Sequence, residues 1–136
     1  MTQGNGRQQA AEAGRESAPR RPIDMVHLEK QALGDPGIGI EILRMFDEIV
    51  AVHFSRLEQA VERSDMLHHA HTIKAASTGV GAWGLAEHAE ELEREIAAGE
   101  GRDPERVADL AMAIAEVHAF IAGEIARDDA RSATLH

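Results

Sequence analysis

The chain is 136 residues long, carries a formal net charge of −10 and contains no cysteine. That length holds one domain with a real core rather than two ordinary ones, and disulfides and thiolate metal sites are excluded. An acidic body with few aromatic rings argues against a nucleic acid partner, which is gripped through its phosphates and stacked bases.

The charge is uneven. Residues 1–22 hold four arginines and two glutamates, a balance of +2 that leaves −12 for the remainder. Low hydrophobicity, three glycines, Pro19 and Pro22 predict that residues 1–22 are disordered. No apolar run resembles a signal-peptide core or approaches the roughly 20 residues of a membrane span. A cytoplasmic protein with no membrane partner is expected.

The helical pattern starts next. Asp24 caps a short helix reaching Ala32, with Gly34 past its end. Asp35-Pro36 reads as N-cap and first residue of a second helix running to about Arg63. Its apolar face is read from Ile38, Ile42, Met45, Phe46, Ile49, Val52 and His53, widened by Val50, Phe54, Leu57 and Val61. Ser64-Asp65 restarts the chain into a third helix, Met66 to about Val80. A fourth spans Trp83 to Ala98, with Leu85, Ala89, Leu92 and Ile96 on one side. Asp103-Pro104-Glu105 starts a fifth, in which Val107, Leu110, Ile114, Val117, Ile121 and Ile125 recur at helical spacing. The pattern fades at Asp128.

No strand signal appears. The expectation is an all-α fold: an antiparallel up-down-up-down four-helix bundle over residues 23–127, with a short N-terminal capping helix and a C-terminal tail at 128–136.

The third helix carries the chemistry. At about 100° per residue, Met66, Ala70, Ile73, Ser77 and Val80 face the core. His68, His71, Lys74, Ala75 and Thr78 fall on the outer side, one turn apart. A neutral imidazole is a nucleophile near neutral pH and can hold a phosphoryl group as a phosphoramidate. Lys74 can set an ammonium beside the phosphate oxygens. Ala75 and Thr78 are small enough to let another protein's phosphorylated group approach in line. Such transfer needs mainly positioning and charge, provided the partner brings a metal and a carboxylate. Gly81 ends the helix and keeps bulk away from the site.

His71, Ile73, Lys74, Ala75, Ala76-Ser77 and Gly81 resemble the phosphoacceptor motif of histidine-containing phosphotransfer (HPt) domains. Leu28 with Gly34-Asp35-Pro36, Leu43 and Phe46 resembles the family's first two helices. Leu85-Ala86 with Ala89, Leu92 and Glu93 resembles the helix after the motif. The resemblance covers roughly Ile23 to Ala126. It implies that His71 accepts a phosphoryl group from a receiver-domain aspartate or a sensor or hybrid histidine kinase, and passes it to a response-regulator receiver. It also implies a phosphocarrier rather than an enzyme, with no ATP site and no cofactor of its own, magnesium belonging to the partner receiver. No GxxxxGK[ST] loop is present. Ala75 departs from the pattern, standing where the family usually has glycine.

Plainer readings compete. A phosphate-independent helical module that binds the same partners would share the pattern. His53 reads as a core-edge histidine with a hydrogen-bond partner, and His27, His88 and His118 as surface or edge residues. The acidic run holding Glu87, Glu90, Glu91, Glu93 and Glu95 reads as a solvated face, and Trp83 as helix-end packing. His68-His69-Ala70-His71 invites a metal reading, but His68 and His71 supply only two ligands from one helix, so no metal site is expected and a metal-binding bundle using this cluster is the weakest alternative. His71 leads, with Lys74 steadying the phosphoryl group and His68, Ala75 and Thr78 on the docking surface. Oligomeric state is left open.

Overall fold

The structure, a computed structural model, describes residues 21–134, so the segment expected to be disordered lies outside the described residues except for Arg21 and Pro22. Five helices follow in order: α1 Met25–Gln31, α2 Pro36–Gln59, α3 Arg63–Val80, α4 Trp83–Ala97 and α5 Pro104–Thr134. Each of α2 to α5 packs on its sequence neighbour, α5 closes back on α2, and α1 sits against α2 and α3. The result is a helical bundle with one core.

Local chemistry sets several boundaries. The Asp24 carboxylate accepts from the amides of Val26 and His27, and Asp35 from those of Gly37 and Ile38, satisfying N–H groups that a first helical turn leaves unpaired. Asp103 does the same for Glu105 before α5. The second helix stops at Gln59, short of Arg63, because Ala60 turns to extended backbone. Arg102 then donates to the carbonyls of Leu57 and Ala60, both at 2.7 Å, and holds that end closed. The third helix begins at Arg63, before the Ser64-Asp65 start that the sequence suggested, with Glu62 as an N-cap that makes no side-chain bond.

α5 continues to Thr134, so the stretch from Asp128 to Thr134 is helix rather than tail. An apolar stripe marks where a helix packs, not where it ends. The final turns are held by Glu124–Arg127 and Asp128–Arg131 pairs at i,i+3 and by the Thr134 hydroxyl donating to the Ala130 carbonyl.

The core is built from Leu43, Phe46, Val50 and Leu57 of α2, Ala70 and Ile73 of α3, Leu85, Leu92 and Ile96 of α4, and Leu110, Val117 and Ile121 of α5. Ile38, Met45, Ile49 and Val52, placed on the apolar face of α2 by their spacing, are exposed instead. α2 is apolar over more than half its circumference, and the bundle takes the side carrying Leu43, Phe46, Val50 and Leu57.

One junction ties the bundle's end to the histidine helix. Gly81 has φ +85°, and its amide and that of Ala82 return to the carbonyls of Thr78 and Ser77, closing α3. The Asp24 amide donates to the Gly81 carbonyl at 2.9 Å. A Cβ on Gly81 would lie 3.1 Å from the Asp24 Cβ and 3.2 Å from the His27 Cβ. Glycine is therefore required both for the left-handed backbone and for the close approach of α1. Trp83 Nε1 donates to Asp24 at 3.0 Å, and its ring meets His27 edge-on at 5.0 Å. That hydrogen bond, followed by those from the His27 and Val26 amides, holds the Asp24 carboxyl below the usual carboxylate range.

These contacts predict opposite signs for two neighbouring glycines. Gly81→Ala loses about 1–3 kcal/mol in urea unfolding, through left-handed strain and crowding against α1. Gly79 lies inside α3 with open space around its Cβ position. Gly79→Ala is neutral or stabilises by up to roughly 1 kcal/mol, as a helical glycine replaced by alanine should.

Candidate functional site

The outer side of α3 between α2 and α4 carries the site. Ala70, Ile73, Ser77 and Val80 are buried as the spacing demands, while His71, Ala75 and Thr78 are exposed and Lys74 is half-buried. The His71 side chain is 60% exposed, open enough for a group on another protein to reach its ring.

The ring is nonetheless held. His71 Nδ1 lies 3.0 Å from Oε2 of Glu93 on α4. An ionised carboxylate only accepts, so Nδ1 carries the proton and donates. In the neutral imidazole the lone pair is then on Nε2. Lys74 Nζ lies 2.9 Å from the other oxygen, Oε1, of the same carboxylate. Glu93 thus bridges the histidine and the lysine, orienting one and parking the other one turn away. Partial burial tends to raise the Glu93 pKa. Hydrogen bonds from Lys74 and His71, with the lysine's charge behind them, outweigh it and keep the carboxyl ionised below the ordinary glutamate range.

Glu93 completes this arrangement; the sequence showed it only in the pattern after the motif and in an acidic run read as a solvated face. The signal was its phase. Ala86, Ala89 and Glu93 form one row along α4, and the two alanines are buried. An acid in a buried small-residue row needs a partner across the interface. The neighbours Glu91 and Glu95 point elsewhere, to Arg106 of α5 at 3.2 and 3.0 Å.

The remaining expected residues are distributed as follows. Ala75 and Thr78 lie exposed on the side that presents His71, and the Thr78 hydroxyl donates back to the Lys74 carbonyl at 3.0 Å. A shallow cleft lined by Lys74, Thr78, Trp83, Ala86, Glu87 and Glu90 flanks them on the α4 side. His68 is exposed but is not brought to Lys74 or Glu93. It leans the other way, its ring 5.9 Å from that of His53 on α2 and 5.1 Å from that of His69. His53 Nδ1 and His69 Nδ1 share a hydrogen bond at 3.0 Å, the partner expected for a core-edge histidine. Burial, followed by neighbouring positive groups such as His68 and Arg56, lowers the pKa of both rings. His118 meets Asp47 of α2 at 2.9 Å, and His27 donates from Nε2 to the Gly79 carbonyl.

The geometry joins an oriented, exposed imidazole to a lysine on a helical bundle. The sequence model of the Hpt domain family matches residues 41–121, and the chain belongs to that family. Its members are histidine phosphotransfer proteins of two-component phosphorelays. Among solved structures, the fold is similar to histidine-containing phosphotransfer protein B from Pseudomonas aeruginosa PAO1, at 25% identity and a TM-score of 0.72. The match covers 81% of this chain and 97% of that one. It is also similar to the histidine phosphotransferase ShpA from Caulobacter crescentus, at 27% identity and a TM-score of 0.64, covering 82% and 97%. No curated protein matches.

The depressed Glu93 pKa carries a pH signature. A carboxyl more acidic folded than unfolded contributes stability that is complete above the ordinary glutamate range. That contribution is lost as pH falls through the lowered folded value. Glu93→Gln removes it, so the variant's unfolding midpoint should fall less steeply than wild type on acidification below that range. The two acid limbs, measured by chemical denaturation at a series of pH values, would coincide if the bridge contributed nothing.

Proposed function

We propose that this protein is a phosphocarrier that receives a phosphoryl group on Nε2 of His71 and delivers it to a response-regulator receiver domain. The observation supporting this reading is the Glu93 bridge: Nδ1 of His71 is engaged at 3.0 Å while the ring stays exposed. The donor is a receiver aspartyl phosphate or a sensor or hybrid histidine kinase.

The transfer follows from charge and placement. The Nε2 lone pair attacks phosphorus in line, an N–P bond forms, and the bond from phosphorus to the donor's oxygen breaks. The electron pair leaves with that oxygen, as the aspartate carboxylate when a receiver is the donor. The imidazole becomes cationic, its proton remaining on Nδ1, and Glu93 stabilises that charge at 3.0 Å. Lys74 is parked on the same carboxylate and is half exposed to the cleft. Once Glu93 is drawn to the imidazolium, the ammonium can pair with the phosphoryl oxygens. The reverse sequence returns the group to a second receiver aspartate.

The chain needs no nucleotide site or cofactor of its own in this scheme, and the receiver supplies magnesium. Ala75 and Thr78 belong to the docking surface, where the Ala75 methyl replaces the bare backbone that a glycine would offer; His68, which leans toward His53 and His69, is left out of it. Among the described residues no helix is long and apolar enough to cross a membrane.

Three variants test the scheme. His71→Gln keeps the fold, because the site is on the surface, and takes no phosphate from a phosphorylated receiver; labelling of this variant would remove His71 from the role. Lys74→Ala still binds receiver but transfers roughly ten- to a hundredfold more slowly, having lost one charge-assisted contact worth about 1.5–3 kcal/mol. Ala75→Arg is expected to block transfer by steric exclusion with unfolding unchanged, and unaltered transfer would take Ala75 out of the interface.

A further inference from the structure

The seam between α2 and α3 holds a second histidine cluster that phosphotransfer does not use. His53 of α2 and His68 and His69 of α3 each offer one ring nitrogen, and these three atoms all lie within 4.8 Å of one another. The rings pack mutually, with centroids 5.1 to 5.9 Å apart. Counting along α3 alone gave His68 and His71, two ligands and no site. The fold changes the set: His71 turns to Glu93, while α2 brings His53 in beside His68 and its neighbour.

We propose that His53, His68 and His69 form a binding site for a borderline divalent transition metal, zinc being the natural occupant. Zinc is bound by imidazole nitrogens at about 2.0–2.1 Å, so tetrahedral ligands lie roughly 3.3 Å apart. The His53 and His69 nitrogens are already at 3.0 Å. His68 is exposed, and its ring must turn inward to close a spread of at most 4.8 Å. Three imidazoles suit zinc, nickel, cobalt or copper and are poor ligands for magnesium or calcium. Water or the Asp65 carboxylate completes the set, Asp65 being exposed one turn before the pair and close enough to act electrostatically on His69. The acidic chain favours a cation. Arg56 opposes it from α2, but is exposed and long enough to swing away.

Two ligands on one helix and a third on its neighbour make the ion a cross-link between α2 and α3. His68 then belongs to the metal and not to a docking partner. This site does not depend on the phosphotransfer reading.

The test is calorimetric titration of zinc chloride into the untagged, chelator-stripped full chain near neutral pH. It is repeated with cobalt(II), whose visible absorption reports tetrahedral coordination. The expected result is one ion per chain, a raised unfolding temperature, and affinity at least about tenfold weaker in His68→Ala, His53→Gln and His69→Gln. His71→Gln and His118→Ala should bind as wild type does. His68 is exposed, so its alanine variant folds whatever happens at the half-buried pair. Absence of binding, several weak ions indifferent to His68→Ala, or loss of binding in His71→Gln would each overturn the site.

Discussion

One carboxylate organises the functional face of this protein. Glu93 accepts from His71 through one oxygen and pairs with Lys74 through the other, at 3.0 and 2.9 Å. The bridge fixes which nitrogen of the imidazole is free, keeps the ring in place although it is largely exposed, and holds the lysine's charge in reserve. It also spans the α3–α4 interface, so the site exists only when those helices are packed. The surrounding structure serves that packing: buried Ala86 and Ala89 let α4 lie close to α3, and Ile73, Leu85 and Leu92 fill the space beneath.

The end of α3 is protected separately. Gly81, Asp24 and Trp83 form a junction of backbone and side-chain bonds that stops the helix and seats α1 over it. Any group of larger volume at Gly81 would press on α1. The histidine lies ten residues upstream, so the transfer proposed at His71 and the folding at Gly81 should respond to different substitutions. A surface change at Ala75, which makes no such bond, should leave stability nearly intact.

The fold was readable because its signals are local. Asp24, Asp35 and Asp103 cap helices a few residues away, and helical spacing on α3, α4 and α5 marks their buried sides. It was ambiguous on α2, where two overlapping apolar stripes compete and only the bundle chooses between them. The exposed Ile49 and Val52 and the buried Phe46 and Val50 are alike in composition. The candidate site divides the same way. His71, Lys74, Ala75 and Thr78 share one helix and follow from its period. Glu93, 22 positions from His71, and His53, 16 positions from His69, enter through helix pairing, which no single-helix count contains.

In the proposed transfer, Glu93 holds the proton on Nδ1 and leaves Nε2 of His71 to take the phosphoryl group. Nuclear magnetic resonance of the phosphorylated protein, with its histidine ring nitrogens isotopically labelled, reads the attachment atom directly. The expected result is a phosphoramidate at Nε2 of His71, with the proton still on Nδ1. Phosphate at Nδ1, or on any other histidine of the chain, would contradict it.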